Sequence, residues 1–345
     1  MLLKKESLVL RWWMGCFVGL LAFAVGSAEA RASSRICFNS EPTPGNLEIF
    51  VMDADGSNLE NLTAKPSSAE AYCSWSPDGS QVAFVSDQDE VGGAEIYRVD
   101  ADGSNETRLT DSPENDLSPA WSPDGTQIAF SSYRDGNMEI YLMDASDGSN
   151  LIRLTYNSSP PYQSIDYGPS WSPDGTQIAF QSYRNISPSN ENIEIYKMDA
   201  DGSNQTRLTN NDKGDVVPTW SPDGTQIAFL RYSTYIAGDG DIFVMDTDGL
   251  NQTNLTNQGA VDGRAAWSPD ASQIAFGSNQ SGSREIYVME ADGSNPTPIT
   301  ANSYRDDNPD WSSVPEPSAA TLGIASLAIL LFLRGIRSRA GTRFA

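Results

Sequence analysis

The sequence predicts an all-β fold, a six-bladed β-propeller with four-stranded blades, on three observations: a repeated unit, its strand count, and a composition rich in turn residues. One unit recurs through nearly all of residues 36–313, marked by Trp75, Trp121, Trp171, Trp220, Trp267 and Trp311, spaced 46, 50, 49, 47 and 44 apart. About 45 residues holding four short apolar runs is the size of one propeller blade. The chain of 345 residues has 28 glycines and 20 prolines. With many Asp, Asn and Ser residues, these favour short strands and tight turns over long helices.

Each part of the unit has a physical reading, clearest around Trp121. The run ending at Trp121 is the innermost strand, A, an edge position where proline is tolerated. Ser122-Pro123-Asp124-Gly125 is a tight turn in which proline fixes φ and glycine takes the positive-φ position. Gln127–Phe130 forms strand B, apolar on both faces because the sheet is sandwiched between neighbouring blades. Glu139–Met143 forms strand C, Asp144–Asn150 a second turn, and Ile152–Thr155 the more polar outer strand D. The Asp-x-Asp-Gly series, as at Asp53–Gly56, lacks the spacing and closing glutamate of a calcium loop and reads as hairpin turns.

Strand B recurs six times, ending at Phe38, Phe84, Phe130, Phe180, Phe229 and Phe276. The first of these has no strand A before it, and Trp311 has no strand B after it. Both deficits vanish if the C-terminal strand around Trp311 joins the first blade, closing the ring and removing exposed sheet edges. The expected domains are therefore a leader at 1–30, a propeller at 31–313 and a tail at 314–345. At this point the repeat, Trp-Ser-Pro-Asp-Gly with Gln-Ile-Ala-Phe, resembles the WD-like propeller repeat of TolB-type proteins. TolB proteins carry a further α/β domain that this sequence does not show, so the resemblance does not imply their partners.

The two ends read as addresses. Lys4, Lys5 and Arg11 precede an apolar run from Trp12 to Val25 and the small-x-small site Ala28-Glu29-Ala30, the pattern of a secretory signal peptide. At the other end Pro315, Glu316 and Pro317 precede an apolar stretch from Ala319 to Leu333 and then Arg334, Arg337 and Arg339. That order resembles the PEP-CTERM sorting signal of Gram-negative bacteria. The resemblance implies an exosortase-type sorting enzyme and the secretion machinery as partners, with a transient membrane anchor. The expected location is the periplasm, outer envelope or extracellular matrix, with membrane contact through the terminal segments only and a monomeric propeller.

Composition excludes several functions. The formal net charge is −24, and residues 31–317 carry 15 basic and 44 acidic side chains, a net −29. Such a surface repels phosphate backbones, which argues against nucleic acid. There is no histidine, so no Ser-His-Asp or Cys-His dyad, His-ligated zinc or imidazole shuttle exists. The peptidases and lyases of the wider family depend on histidine, which leans against an enzyme here. Cys37 and Cys73 fall on neighbouring core strands. They could form one disulfide, but two buried thiols are the preferred expectation.

Two features stand out as candidate sites. Five residues before each repeat tryptophan stands an acid: Glu70, Asp116, Asp166, Asp215, Asp262 and Asp306. Placed at the start of strand A, they would ring the channel mouth. Either each caps a turn or pairs with an arginine ending strand B (Arg134, Arg184, Arg231), which is preferred, or the ring binds a cation such as Ca²⁺. Tyr133, Tyr183 and Tyr232 would sit at the rim, packing between blades or stacking on sugar rings. The A–B and C–D turns share one face and hardly vary, whereas the B–C and D–A loops share the other and vary in length and content. Variable loops on a constant frame mark the expected binding face. The function expected is an exported binding or scaffold module for a protein or glycan ligand. The alternative is a carboxylate-dependent glycosidase or lyase with a cation at the channel mouth.

Overall fold

The computed structural model describes residues 34–89, 92–157, 165–184, 193–232 and 240–312. The expected leader at 1–30 and the tail with Pro315, Glu316 and Pro317 lie outside the described residues. The described residues hold 24 strands in six antiparallel sheets of four, the six-bladed propeller expected from the repeat. In a representative blade, β8 (Asp116–Trp121) is innermost, followed outward by β9 (Gln127–Ser132), β10 (Glu139–Asp144) and β11 (Ile152–Arg153).

The apolar core lies between blades. Strand B is buried on both faces, and its six phenylalanines are almost wholly shielded from solvent. Each Phe faces the aromatic residue opposite it on strand C. Phe130 pairs with Tyr141 in the ladder at 5.8 Å between ring centres, and Phe229 pairs with Phe243 at 5.7 Å. The contacts then cross to the next blade. Leu142 and Leu154 of the third blade pack in one cluster with Trp171, Phe180 and Met198 of the fourth. Burying one such side chain contributes about 1.5–3 kcal/mol, all of which depends on the neighbouring blade being in place.

Ring closure occurs as the sequence suggested. Strand β1 (Arg35–Thr43) pairs on one side with β2 (Asn46–Asp53) and on the other with β24 (Asp306–Trp311), aligning Ile36 with Trp311 and Ser40 with Asp306. Trp311 Nε1 donates to Ser34 Oγ at 2.9 Å, and Ser312 N donates to the Arg35 carbonyl at 2.8 Å. A disulfide joins Cys37 of β1 to Cys73 of β4 (Glu70–Trp75), with the Cα atoms 6.3 Å apart. This corrects the expectation of two separate thiols. The residues are on adjacent blades whose inner strands come within bonding reach, a distance the spacing of 36 residues does not reveal.

The turns follow their chemistry. In the A–B turn Gly125 N donates to the Ser122 carbonyl, and Asp124 accepts from Ser122 Oγ and Thr126 N. The glycine of the C–D turn has a second duty besides its positive φ. A Cβ added to Gly148 (φ +73°) would fall against the Leu109 carbonyl of the preceding blade, and one at Gly249 would do the same at Leu208. Backbone cannot yield there. Replacing Gly148 by Ala should therefore cost about 3 kcal/mol, combining left-handed strain with the clash, and lower the melting temperature by several degrees. Ala271 (φ +59°) occupies the glycine position of its own A–B turn, so Ala271→Gly should leave stability unchanged or raise it. Reduction should remove about 3–4 kcal/mol for a loop of this length, read as a lower denaturation midpoint in dithiothreitol than in its absence.

Candidate functional site

The six acids that precede the tryptophans begin the inner strands, but not as an open ring. Their exposures run from 0% to 2%, and none belongs to the lining of the axial cavity. The reason is local. Each acid is aligned with the end of strand B and bonded within its own blade. Ser40 and Ser182 hydroxyls donate to Asp306 and Asp166 at 2.6 and 2.5 Å. Arg231 grips Asp215 with Nε at 2.6 Å and a terminal nitrogen at 2.7 Å, while Arg134 and Arg184 reach Asp116 and Asp166 at 2.7 and 2.5 Å. Each of these guanidinium groups also lies over the aromatic pair of strands B and C, as Arg231 does over Phe229 and Phe243 at 5.2 and 4.5 Å. Tyr183 and Tyr232 are half-buried and pack against the core cluster of the fifth and sixth blades, and Tyr133 N donates to the Asn115 carbonyl.

A second set of acids, unremarked in the sequence reading, stands at the start of strand C (Glu95, Glu139, Glu194, Asp241 and Glu285) or, in the first blade, two residues into it (Glu48). Its signal was present, since an acid stands at that position in every repeat. In most blades the acid accepts from the threonine hydroxyl after strand D, as Glu95 does from Thr110 at 2.6 Å and Glu285 from Thr300 at 2.6 Å. Each faces the strand-A acid of the next blade. Asn157, Asn211 and Asn302 bridge three of these pairs, with Asn302 N bonded to Glu285 and its Nδ2 to Asp306 at 2.8 Å. Among the described residues no group of three or more acids and cysteines is placed to hold a metal ion.

Electrostatics follow from this placement. Burial pushes the Glu70 carboxyl up to about 7, with Glu48 beside it adding to the rise, and one Glu70 oxygen has no hydrogen-bond partner. Burial likewise pushes Asp116 up to about 6 and raises Asp166, Asp262 and Asp306. The turn aspartates are lowered instead, Asp124 chiefly by the Ser122 hydroxyl.

The axial concavity lies elsewhere. A cavity of about 280 Å³ is lined by all six repeat tryptophans, by the prolines of the Ser-Pro turns that follow five of them, and by Ser74, Ser170, Thr219, Arg264 and Asp310. It sits at the end of the channel bearing the unvaried A–B turns, opposite the loop face favoured from sequence. The physical reason is that strand A ends there in a wide ring of indoles. Towards the other end, Tyr72 and Tyr167 meet edge to face across the axis, ring centres 6.4 Å apart. Each strand A is also bulged at this level, and Tyr72, Ser118, Val217 and Asn308 take positive φ there. All four positions between the acid and the tryptophan differ between blades, the one two places before it least, with proline in four of the six.

The geometry defines a closed six-bladed propeller with an indole-lined axial cup. The TolB beta propeller domain family matches residues 110–235 and 217–319, more than half of the chain, and the protein belongs to that family. TolB from Acinetobacter baumannii has the same fold with a TM-score of 0.68 at 23% identity, over 81% of this chain and 66% of that one. Hydrazine synthase of Kuenenia stuttgartiensis is similar with a TM-score of 0.66 at 16% identity, over 82% and 47% of the two chains. A chain of a nidogen/laminin complex is similar with a TM-score of 0.60 at 12% identity, over 81% and 98%. These likenesses are of fold. No curated protein matches the chain in sequence.

The buried acids generate a pH prediction. A carboxyl raised in the folded state favours folding while protonated, and that preference is lost as pH rises from its unfolded value to its folded one. The lowered turn aspartates act oppositely, stabilising above about pH 4 and losing that effect below it. The melting temperature should therefore peak near about pH 4–5 and fall between about pH 5 and pH 8. Glu70→Gln should flatten the alkaline limb when followed by circular dichroism, and an unchanged slope would remove Glu70 from the account.

Proposed function

We propose that the protein is an exported, non-catalytic binding or scaffold propeller of the cell envelope or extracellular matrix, meeting a protein or glycan partner through its B–C and D–A loops. The observation that carries this reading is the sequestration of its acids. In a chain without histidine, carboxylates would have to perform any acid–base chemistry. The two acid sets that recur in every blade are built into the blade seams, almost all of them buried and hydrogen-bonded. What remains variable is loop content on a fixed frame, the usual arrangement of a recognition surface.

The terminal segments supply the rest. The leader at 1–30 would carry the chain across the inner membrane, and Pro315-Glu316-Pro317 would present it to a sorting enzyme that removes the apolar tail. Among the described residues no helix is long and apolar enough to cross a membrane. Replacing Pro315, Glu316 and Pro317 by alanine in the native host should leave the tail attached, giving a heavier, membrane-associated protein. Intact mass and fractionation would show this. A mutant released and trimmed like the wild type would overturn the sorting proposal. For the loop face, a partner captured from the host envelope should lose affinity gradually as B–C and D–A loop residues are replaced. Loss confined to the A–B turn face would refute that part.

A further inference from the structure

Arg264 is the one basic residue lining the axial cavity, and it also lines the narrow space beneath it beside Tyr72 and Asn308. It stands three places before Trp267, where the other blades carry Tyr72, Ser118, Gly168, Val217 and Asn308. The other strand arginines of the inner blades are committed. Arg134, Arg184 and Arg231 bond the buried acids, and Arg284 pairs with Asp307 at 2.9 Å. Arg264 has no hydrogen bond or ion pair with any described residue. The acid in the cup, Asp310, feels the Arg264 charge, which opposes the rise that burial gives its carboxyl, but the carboxylate takes its hydrogen bonds from Trp75 N at 2.8 Å and from the Trp311 backbone.

A guanidinium with five donors and no acceptor, held at the axis, is a receptor for a planar anion. It is also an exception to the charge of the whole body, a net −29 over residues 31–317, which would draw cations and not anions to the protein. Above it the walls combine indole rings with the serine hydroxyls at 74 and 170. Such walls suit a compact ligand that carries both C–H faces and hydroxyl groups. The cavity, about 280 Å³, lies at the small end of the range for small-molecule sites, about 300–1,000 Å³. That size matches a single small molecule. The Tyr72–Tyr167 contact below makes the space a cup and not an open pore.

We propose that this cup binds a polyhydroxylated organic carboxylate of monosaccharide size, its carboxylate on Arg264 and its hydroxyl-bearing body against the indoles and serines. This is a separate site from the loop face, at the opposite end of the channel, so either can fail without the other.

The cavity tryptophans supply the readout. Purified protein is titrated with sodium gluconate and sodium glucuronate, against sorbitol, glucose and sodium chloride at matched ionic strength, following intrinsic fluorescence. At least one acid should give a saturable change that its neutral counterpart and the salt do not. Arg264→Gln should weaken that response by at least about tenfold, the loss of one charge-assisted pair, and Arg264→Lys by less. A wild-type protein that ignores both acids, or responds equally to acid and neutral sugar, overturns the proposal whether or not the variant folds. So does an Arg264→Gln protein of normal melting temperature that binds as tightly as the wild type.

Discussion

Everything in this molecule depends on closing the ring. The apolar clusters lie between sheets and not within them, so no blade can bury its strand B alone, and each requires two neighbours. An open array would leave two such faces in water and two unpaired sheet edges. The junction between β1 and β24 removes both defects at once, and it uses strands from opposite ends of the propeller segment. The same β1 is tied covalently to the second blade through Cys37 and Cys73. The first strand is therefore hydrogen-bonded on both flanks, to β24 and β2, and tied to the next blade by the disulfide.

The repeated polar residues serve the same constraint. Six sheets converging on an axis bring the starts of strands A and C of adjacent blades together, where backbone groups and side chains leave water. The two acid sets answer this by accepting from hydroxyls, asparagine amides and arginines at each seam. Blades three to five add an arginine that also covers the aromatic pair. Even so, Glu70 in the second blade, Asp116 in the third and Asp262 in the sixth each keep a buried oxygen without a partner, and burial pushes Glu70 up to about 7 and Asp116 up to about 6. A shared architecture with unequal partners thus raises the seam carboxyls to different extents, Glu70 further than Asp116.

How much of this was legible in the sequence depends on the range of the interaction. Blade number, strand order and ring closure were legible because they follow from local periodicity, turn chemistry and an unmatched Trp311. The turn role of Asp53-x-Asp55-Gly56 was legible too, since a hairpin is settled within a few residues. The bond between Cys37 and Cys73 was not, because it depends on how two blades approach. Arg134 and Arg231 were the preferred partners for Asp116 and Asp215 and do pair with them, but the burial of those acids was not legible, because it depends on how the bulged strands of neighbouring blades approach.

The cup was missed for a different reason. Variation in loop length is conspicuous in a sequence, whereas substitutions in a strand of fixed length between its acid and its tryptophan are not. Yet within it the positions around residues 72, 118, 168, 217, 264 and 308 carry Tyr, Ser, Gly, Val, Arg and Asn. A core position in a symmetric ring repeats its residue type, because each seam asks the same packing question; the six strand-B phenylalanines show this. A position facing the axis is released from that demand, since its neighbours are the other five blades across open space. Variation between the fixed acid and the fixed tryptophan of strand A is thus the sequence signature of the axis. The charged residues among those positions are Arg264, Asp307 and Asp310, of which Asp307 is claimed by Arg284 and Asp310 by Trp75 N.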